Sequence, residues 1–137
     1  MARDVFHSVV KNALIAEGWL ITHDPFPLDY GEVQMQIDLG AEFLVAAERD
    51  SRKIAVEVKS FIKPSAISEF HTAVGQYLNY RRALRVQDSS RRLYLAVPHT
   101  TYDEFFRLRF VQEGVQEYQL LMLVYDIENP RIVQWIE

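Results

Sequence analysis

Residues 53–60 read K-I-A-V-E-V-K-S, a short run that alternates. Side chains in a strand point to opposite faces with period two. Ile54, Val56 and Val58 therefore share one face, and Ala55, Glu57 and Lys59 share the other. The apolar set predicts a strand packed into a core. The other set places a carboxylate and an amine side by side inside a run apolar enough to be covered. Glu-x-Lys on a strand is most often a solvated ion pair of little energetic worth. What sets this pair apart lies upstream, where Asp38 ends a second alternating stretch, M-Q-I-D-L-G. Two carboxylates and an amine can then meet at the ends of adjacent strands. Asp38 and Glu57 suit a hard divalent cation such as Mg²⁺, which takes oxygen ligands and keeps several waters. A lysine beside them orients an attacking water or offsets charge developing on a phosphate.

Working outward, apolar residues at three- and four-residue steps predict a helix over 4–17, stopped by Gly18. A short strand is expected over 19–22. The H-D-P-F-P run from His23 breaks it, because proline removes a donor and restricts its predecessor. Residues 29–32 read as a turn. Strands are expected over 33–39 and 43–48, joined to the central run by a tight loop at 49–52. Ser65 or Ser68 caps a long helix to about residue 86, with Phe70, Val74, Tyr77, Leu78 and Leu84 as its buried stripe. L-Y-L-A-V (93–97) is a continuous apolar run, the mark of a strand covered on both faces. Thr101-x-x-Glu104 predicts a capping box for one helix reaching about Tyr118. Strands over 120–125 and 132–136 close the chain. The order is that of an α/β sandwich on a mixed sheet flanked by helices.

A chain of 137 residues, 49% hydrophobic and 25% charged, is expected to form one globular domain rather than a disordered segment. It has no cysteine, which excludes disulfides and thiolate chemistry. No apolar run reaches the length of a membrane span, and the N-terminal residues lack a signal-peptide core, so a cytoplasmic protein is expected. The net charge of −4 is not a general nucleic-acid footprint, although local basic patches can still dock DNA. Lys63 with Arg81, Arg82 and Arg85, and with Arg91 and Arg92 in the loop that follows, is one candidate patch. A solvated helix end, favoured by the C-terminal dipole, is the alternative. His7, His23, His71 and His99 lack zinc-site spacing.

Asp38 with Glu57-x-Lys59, in this order of elements, resembles the restriction-endonuclease-like PD-(D/E)XK nucleases, which are built on an αβββαβ core. Here the core would carry an extra C-terminal helix and strand pair. Q-Y-L-N-Y from Gln76 matches the Q-x-x-x-Y pattern of several of these nucleases, and Gln76 and Tyr80 share one helix face. The resemblance places Gln76 beside Asp38, Glu57 and Lys59. Ile37 stands where the pattern has proline. No glutamate of the first helix takes the metal-holding role, and the parts played by His7, Glu42 and Glu48 stay open.

A resemblance running nearly end to end is to the XisH family, the fdxN element excision controlling factors of cyanobacteria. It is carried by D-V-F-H-x-x-V-K-N-A-L (from Asp4), G-W-x-I-T-H-D-P-F (from Gly18), I-D-L-G-A-E (from Ile37) and A-A-E-R (from Ala46). I-A-V-E-V-K-S-F (from Ile54), L-Y-L-A-V-P (from Leu93), V-Y-D (from Val124) and I-V-Q-W-I (from Ile132) complete it. The resemblance implies action on DNA in programmed excision by a site-specific recombinase, alongside a companion protein, XisI. A non-catalytic accessory factor that keeps the fold and binds the recombinase or XisI is the alternative. The apolar C-terminal strand pair also leaves an edge that a homodimer would cover.

Overall fold

The computed structural model describes residues 2–44 and 51–137. Helix α1 (Ala2–Glu17) buries Val9, Val10, Ala13 and Leu14 along one stripe. Gly18 ends it at φ +105°, and the Gly18 and Trp19 amides return to the Ile15 and Leu14 carbonyls, both at 3.0 Å. This paired bonding needs a residue tolerant of left-handed backbone, which glycine supplies.

Five strands follow: β1 (Leu20–His23), β2 (Phe26–Tyr30), β3 (Val33–Ile37), β4 (Leu39–Leu44) and β5 (Ser51–Val58). After helix α2 (Ala66–Gln87) come β6 (Arg91–Pro98), two short helices α3 (His99–Glu104) and α4 (Arg109–Glu117), and the strands β7 (Met122–Asp126) and β8 (Arg131–Ile136). Six strands form one mixed sheet in the order β1-β4-β5-β6-β7-β8, while β2 and β3 pair as a separate hairpin. The central pairs β5–β6 and β6–β7 are parallel and the outer ones antiparallel. This is the mixed α/β arrangement expected, with helices covering both faces of the sheet. One apolar cluster joins α1 to Ile54, Val56, Tyr94, Ala96 and Tyr125. The other joins α2, α3, α4 and the hairpin to Ala55, Leu95, Val97 and Val124 on the opposite face. Among the described residues no helix is long and apolar enough to cross a membrane.

Three expectations are corrected. The segment after His23 is not only a break and a turn: Phe26–Tyr30 is a strand, with Phe26 and Leu28 facing inward. Pro27 fits because it lies in a two-stranded hairpin, outside the main ladder. The stretch 33–39 is not one strand: the chain leaves β3 at Ile37, turns at Asp38 and enters the main sheet at Leu39. The helix from Thr101 is two helices. Thr101 lies inside α3, which has no side-chain cap, and its carbonyl accepts from both the Phe105 and Phe106 amides. The break lets both phenylalanines pack against Phe61 and Phe70. Ser65, not Ser68, caps α2, its hydroxyl accepting from the Ser68 amide at 3.2 Å. The strand expected over 43–48 is described only to Leu44. The loop over 49–52 lies partly outside the described residues, and Ser51 and Arg52 belong to β5.

Candidate active site

Glu57 is the last residue but one of β5, and its parity with Ala55 turns it toward the α2 side of the sheet. Asp38 stands at the step where the chain passes from the hairpin to β4. The two segments are laced together: the Val58 amide donates to Asp38 Oδ2 at 2.8 Å, and the Asp38 amide donates to Glu57 Oε1 at 3.3 Å. The Glu57 carboxylate thus braces the Asp38 backbone and the Asp38 carboxylate that of Val58, and both acids are 7% exposed. Lys59 extends just past the strand end. Its ammonium lies 3.5 Å from Glu57 Oε2 and donates to Gln76 Oε1 at 2.5 Å. Gln76 is placed by its neighbour Tyr77, a buried residue whose hydroxyl donates to the Leu93 carbonyl and accepts from the Leu121 amide. The turn of α2 carrying Gln76 is therefore tied to the sheet.

All four residues line one cleft of about 1130 Å³. Its walls are the β2–β3 hairpin, the end of β5 and the first half of α2. Burial, then the nearby charge of Asp38, pushes the Glu57 carboxyl up to about 7, and Lys59 offsets this only in part. Two carboxylates on one cleft wall are a donor set that a hard divalent cation would accept. Among the described residues no three His, Asp or Glu side chains gather into a metal-holding group. The protein would thus provide two carboxylates and a main-chain oxygen, and water the rest, as Mg²⁺ favours.

The other expected residues are scattered. Lys63 lines the same cleft, its amide bonded to Glu69 Oε1 at 3.1 Å. Arg81 and Arg85 line a different cavity of about 620 Å³, across α2. There Arg81 donates to the Tyr118 and Gln119 carbonyls at 2.7 and 3.1 Å. Arg82 donates to Asn79 Oδ1. Arg91 is buried and Arg92 donates to Glu137, so Lys63 and the five arginines do not form one patch. His7 is bonded to Asp24 at 2.7 Å, Glu42 faces Arg91 at 3.8 Å, and Glu48 lies outside the described residues. Gln34, Gln36 and Glu69 also line the cleft and were not anticipated. The alternation of Phe26, Leu28 and Tyr30 before Gly31 could have signalled the hairpin that carries the two glutamines. The prolines at 25 and 27 masked it.

The fold and cleft define a mixed α/β protein with a carboxylate–lysine centre at the end of its central strand. The family described as XisH protein matches residues 1–133. Two solved structures are similar over 98% of this chain and 100% of theirs, each with a TM-score of 0.89. One is an XisH family protein from Nostoc punctiforme PCC 73102, 53% identical. The other is an fdxN element excision controlling factor protein from Anabaena variabilis, 55% identical. No curated protein matches. The chain belongs to the XisH family.

Proposed function

We propose that this protein is an endonuclease-like DNA-processing factor of the PD-(D/E)XK kind, acting by metal-assisted phosphodiester hydrolysis in programmed excision of a DNA element. The convergence of Asp38, Glu57, Lys59 and Gln76 on one cleft carries this reading. The name of the Anabaena variabilis relative supports the excision role. Asp38, Glu57 and the Val58 carbonyl would hold Mg²⁺ or Mn²⁺, which when bound supplies a Lewis acid for the phosphoryl oxygen and a more acidic water. Lys59 positions the attacking water and offsets charge developing on the phosphate. Gln76 holds the Lys59 ammonium in place. Lys63, in the same cleft, meets a flanking phosphate.

A second reading is favoured by the ion pair itself. Lys59 already bonds Glu57 and Gln76, and a closed cluster of this kind suits an accessory factor that binds XisI or a site-specific recombinase. A nicking assay on supercoiled plasmid with Mg²⁺ or Mn²⁺ separates the two. Metal-dependent nicking lost in both Asp38→Ala and Lys59→Ala is the expected result. A folded wild type that fails to nick, alone and with XisI added, supports the accessory role instead.

A further inference from the structure

The V-Y-D motif on β7 has no part in the site described above, yet its tyrosine reaches it. Buried hydroxyls are paired. Tyr77, Tyr94 and Tyr125 are all fully buried, and each has a partner: Tyr77 ties α2 to the sheet, Tyr94 donates to Glu137, and Tyr125 donates to the main-chain carbonyl of Lys59 at 3.1 Å. Tyr125 and Lys59 stand two strands apart, on β7 and just beyond β5. Between them on β6 is Ala96, on the same face as Tyr125 and paired in register with Val58. A methyl side chain there leaves room for the phenol to lean across β6. Burial also pushes the Tyr125 ionisation far up, so the group stays an O–H donor.

Both main-chain groups of Lys59 are thereby tied after β5 has ended at Val58. Its amide donates to the Ala96 carbonyl at 2.9 Å, and its carbonyl accepts from Tyr125. Two residues on, Phe61 adopts φ +54°, a left-handed conformation that a bulky residue keeps only when its surroundings enforce it. Its ring packs on Phe105 and Phe106 at 5.9 and 5.5 Å between centroids. The backbone that launches the Lys59 side chain is thus held from both sides.

We propose that Tyr125 is a positioning residue for Lys59: its hydroxyl fixes the Lys59 carbonyl and so the direction in which the ammonium enters the cleft. Its effect on rate rests on the nuclease reading, whereas the contact does not. Tyr125→Phe removes one hydroxyl and keeps the ring. The expected result is a roughly tenfold lower nicking rate at saturating plasmid, with half-saturating plasmid and Mn²⁺ concentrations unchanged. Amide exchange across residues 59–62 should rise while β5 stays protected. Added to Lys59→Ala, the substitution should cost nothing further, because it acts through that side chain. Wild-type nicking and exchange in Tyr125→Phe overturn the proposal. So does a rate loss that follows the unfolded fraction and disappears on cooling, or an independent loss in the double variant. If the wild type does not nick, the nuclease reading fails and exchange alone decides: faster exchange over 59–62 upholds the tie, and unchanged exchange overturns it.

Discussion

Two buried charged centres lie toward opposite ends of the paired strands β5 and β6, and they are built differently. At the start of β6, Arg91 has a side chain only 3% exposed. Its guanidinium meets Asp88 at 3.1 Å and Glu42 at 3.8 Å, donates to the Ile54 carbonyl at 2.9 Å, and lies 4.8 Å from the centre of the Phe26 ring. Nε and Nη1 donate hydrogen bonds, and Nη2 faces the Glu42 carboxylate. At the end of β5, Glu57 has the Lys59 ammonium at 3.5 Å and the charge of Asp38 nearby, and it takes up a proton far more readily than usual. The Arg91 centre cross-links strands β4, β5 and β6. The other holds a carboxyl of raised proton affinity beside an open cleft, a combination that marks candidate functional sites.

The comparison breaks most visibly if Arg91 is removed. Arg91→Ala removes the buried cation that faces Asp88 and Glu42 and the donor to the Ile54 carbonyl, at an expected cost of about 3–5 kcal/mol in urea unfolding. Lys59→Ala should instead leave the urea midpoint close to wild type and lower nicking by about a hundredfold, in line with the loss of one preorganised charge. A variant in which Lys59→Ala destabilised the protein as much as Arg91→Ala would erase the distinction.

The pH dependence sharpens it. Glu57 has a folded pKa raised from 4.5 to about 7, so the folded state holds the proton more tightly than the unfolded chain. Without divalent cation, this group's contribution is fully present below pH 4.5 and is lost as pH rises to about 7, on the order of 2–3 kcal/mol. Glu57→Gln should abolish that slope, stabilise the protein at pH 8 and stop nicking. Denaturant melts at pH 5 and pH 8 test it. Asp88 runs the other way. Partial burial raises its pKa, but hydrogen bonds from Arg91 and Ser90 outweigh this and hold the carboxyl below its ordinary range. Its stabilisation is present above the unfolded pKa and is lost as pH falls through the folded one. Asp88→Asn should therefore cost about 1 kcal/mol at pH 7, the smallest effect of the set, and nothing at strongly acidic pH.

Much of the site was legible because it rests on local periodicity. Glu57 and Lys59 share a face by the period of a strand, and Gln76 and Tyr80 by that of a helix. The rest depended on contacts between segments distant in the chain. The helix expected from Thr101 divides because Phe105 and Phe106 must both enter the cluster around Phe61 and Phe70, a demand that no local capping pattern reveals.

By itself the sequence determined the alternating strand with its Glu-x-Lys pair, the glycine stop after α1, the capped α2 and the mixed order of helices and strands. These are short-range choices, set by side-chain period, by backbone freedom at Gly18 and by a hydroxyl at Ser65. Tertiary structure alone decided that Asp38, nineteen residues before Glu57, exchanges amide-to-carboxylate hydrogen bonds with the β5 end. It also decided that the β2–β3 hairpin forms a cleft wall, and that α2 sends Gln76 into one cavity and Arg81 into another. Burial on packing brings such groups together and sets their charge balance, and neither can be read from spacing along the chain.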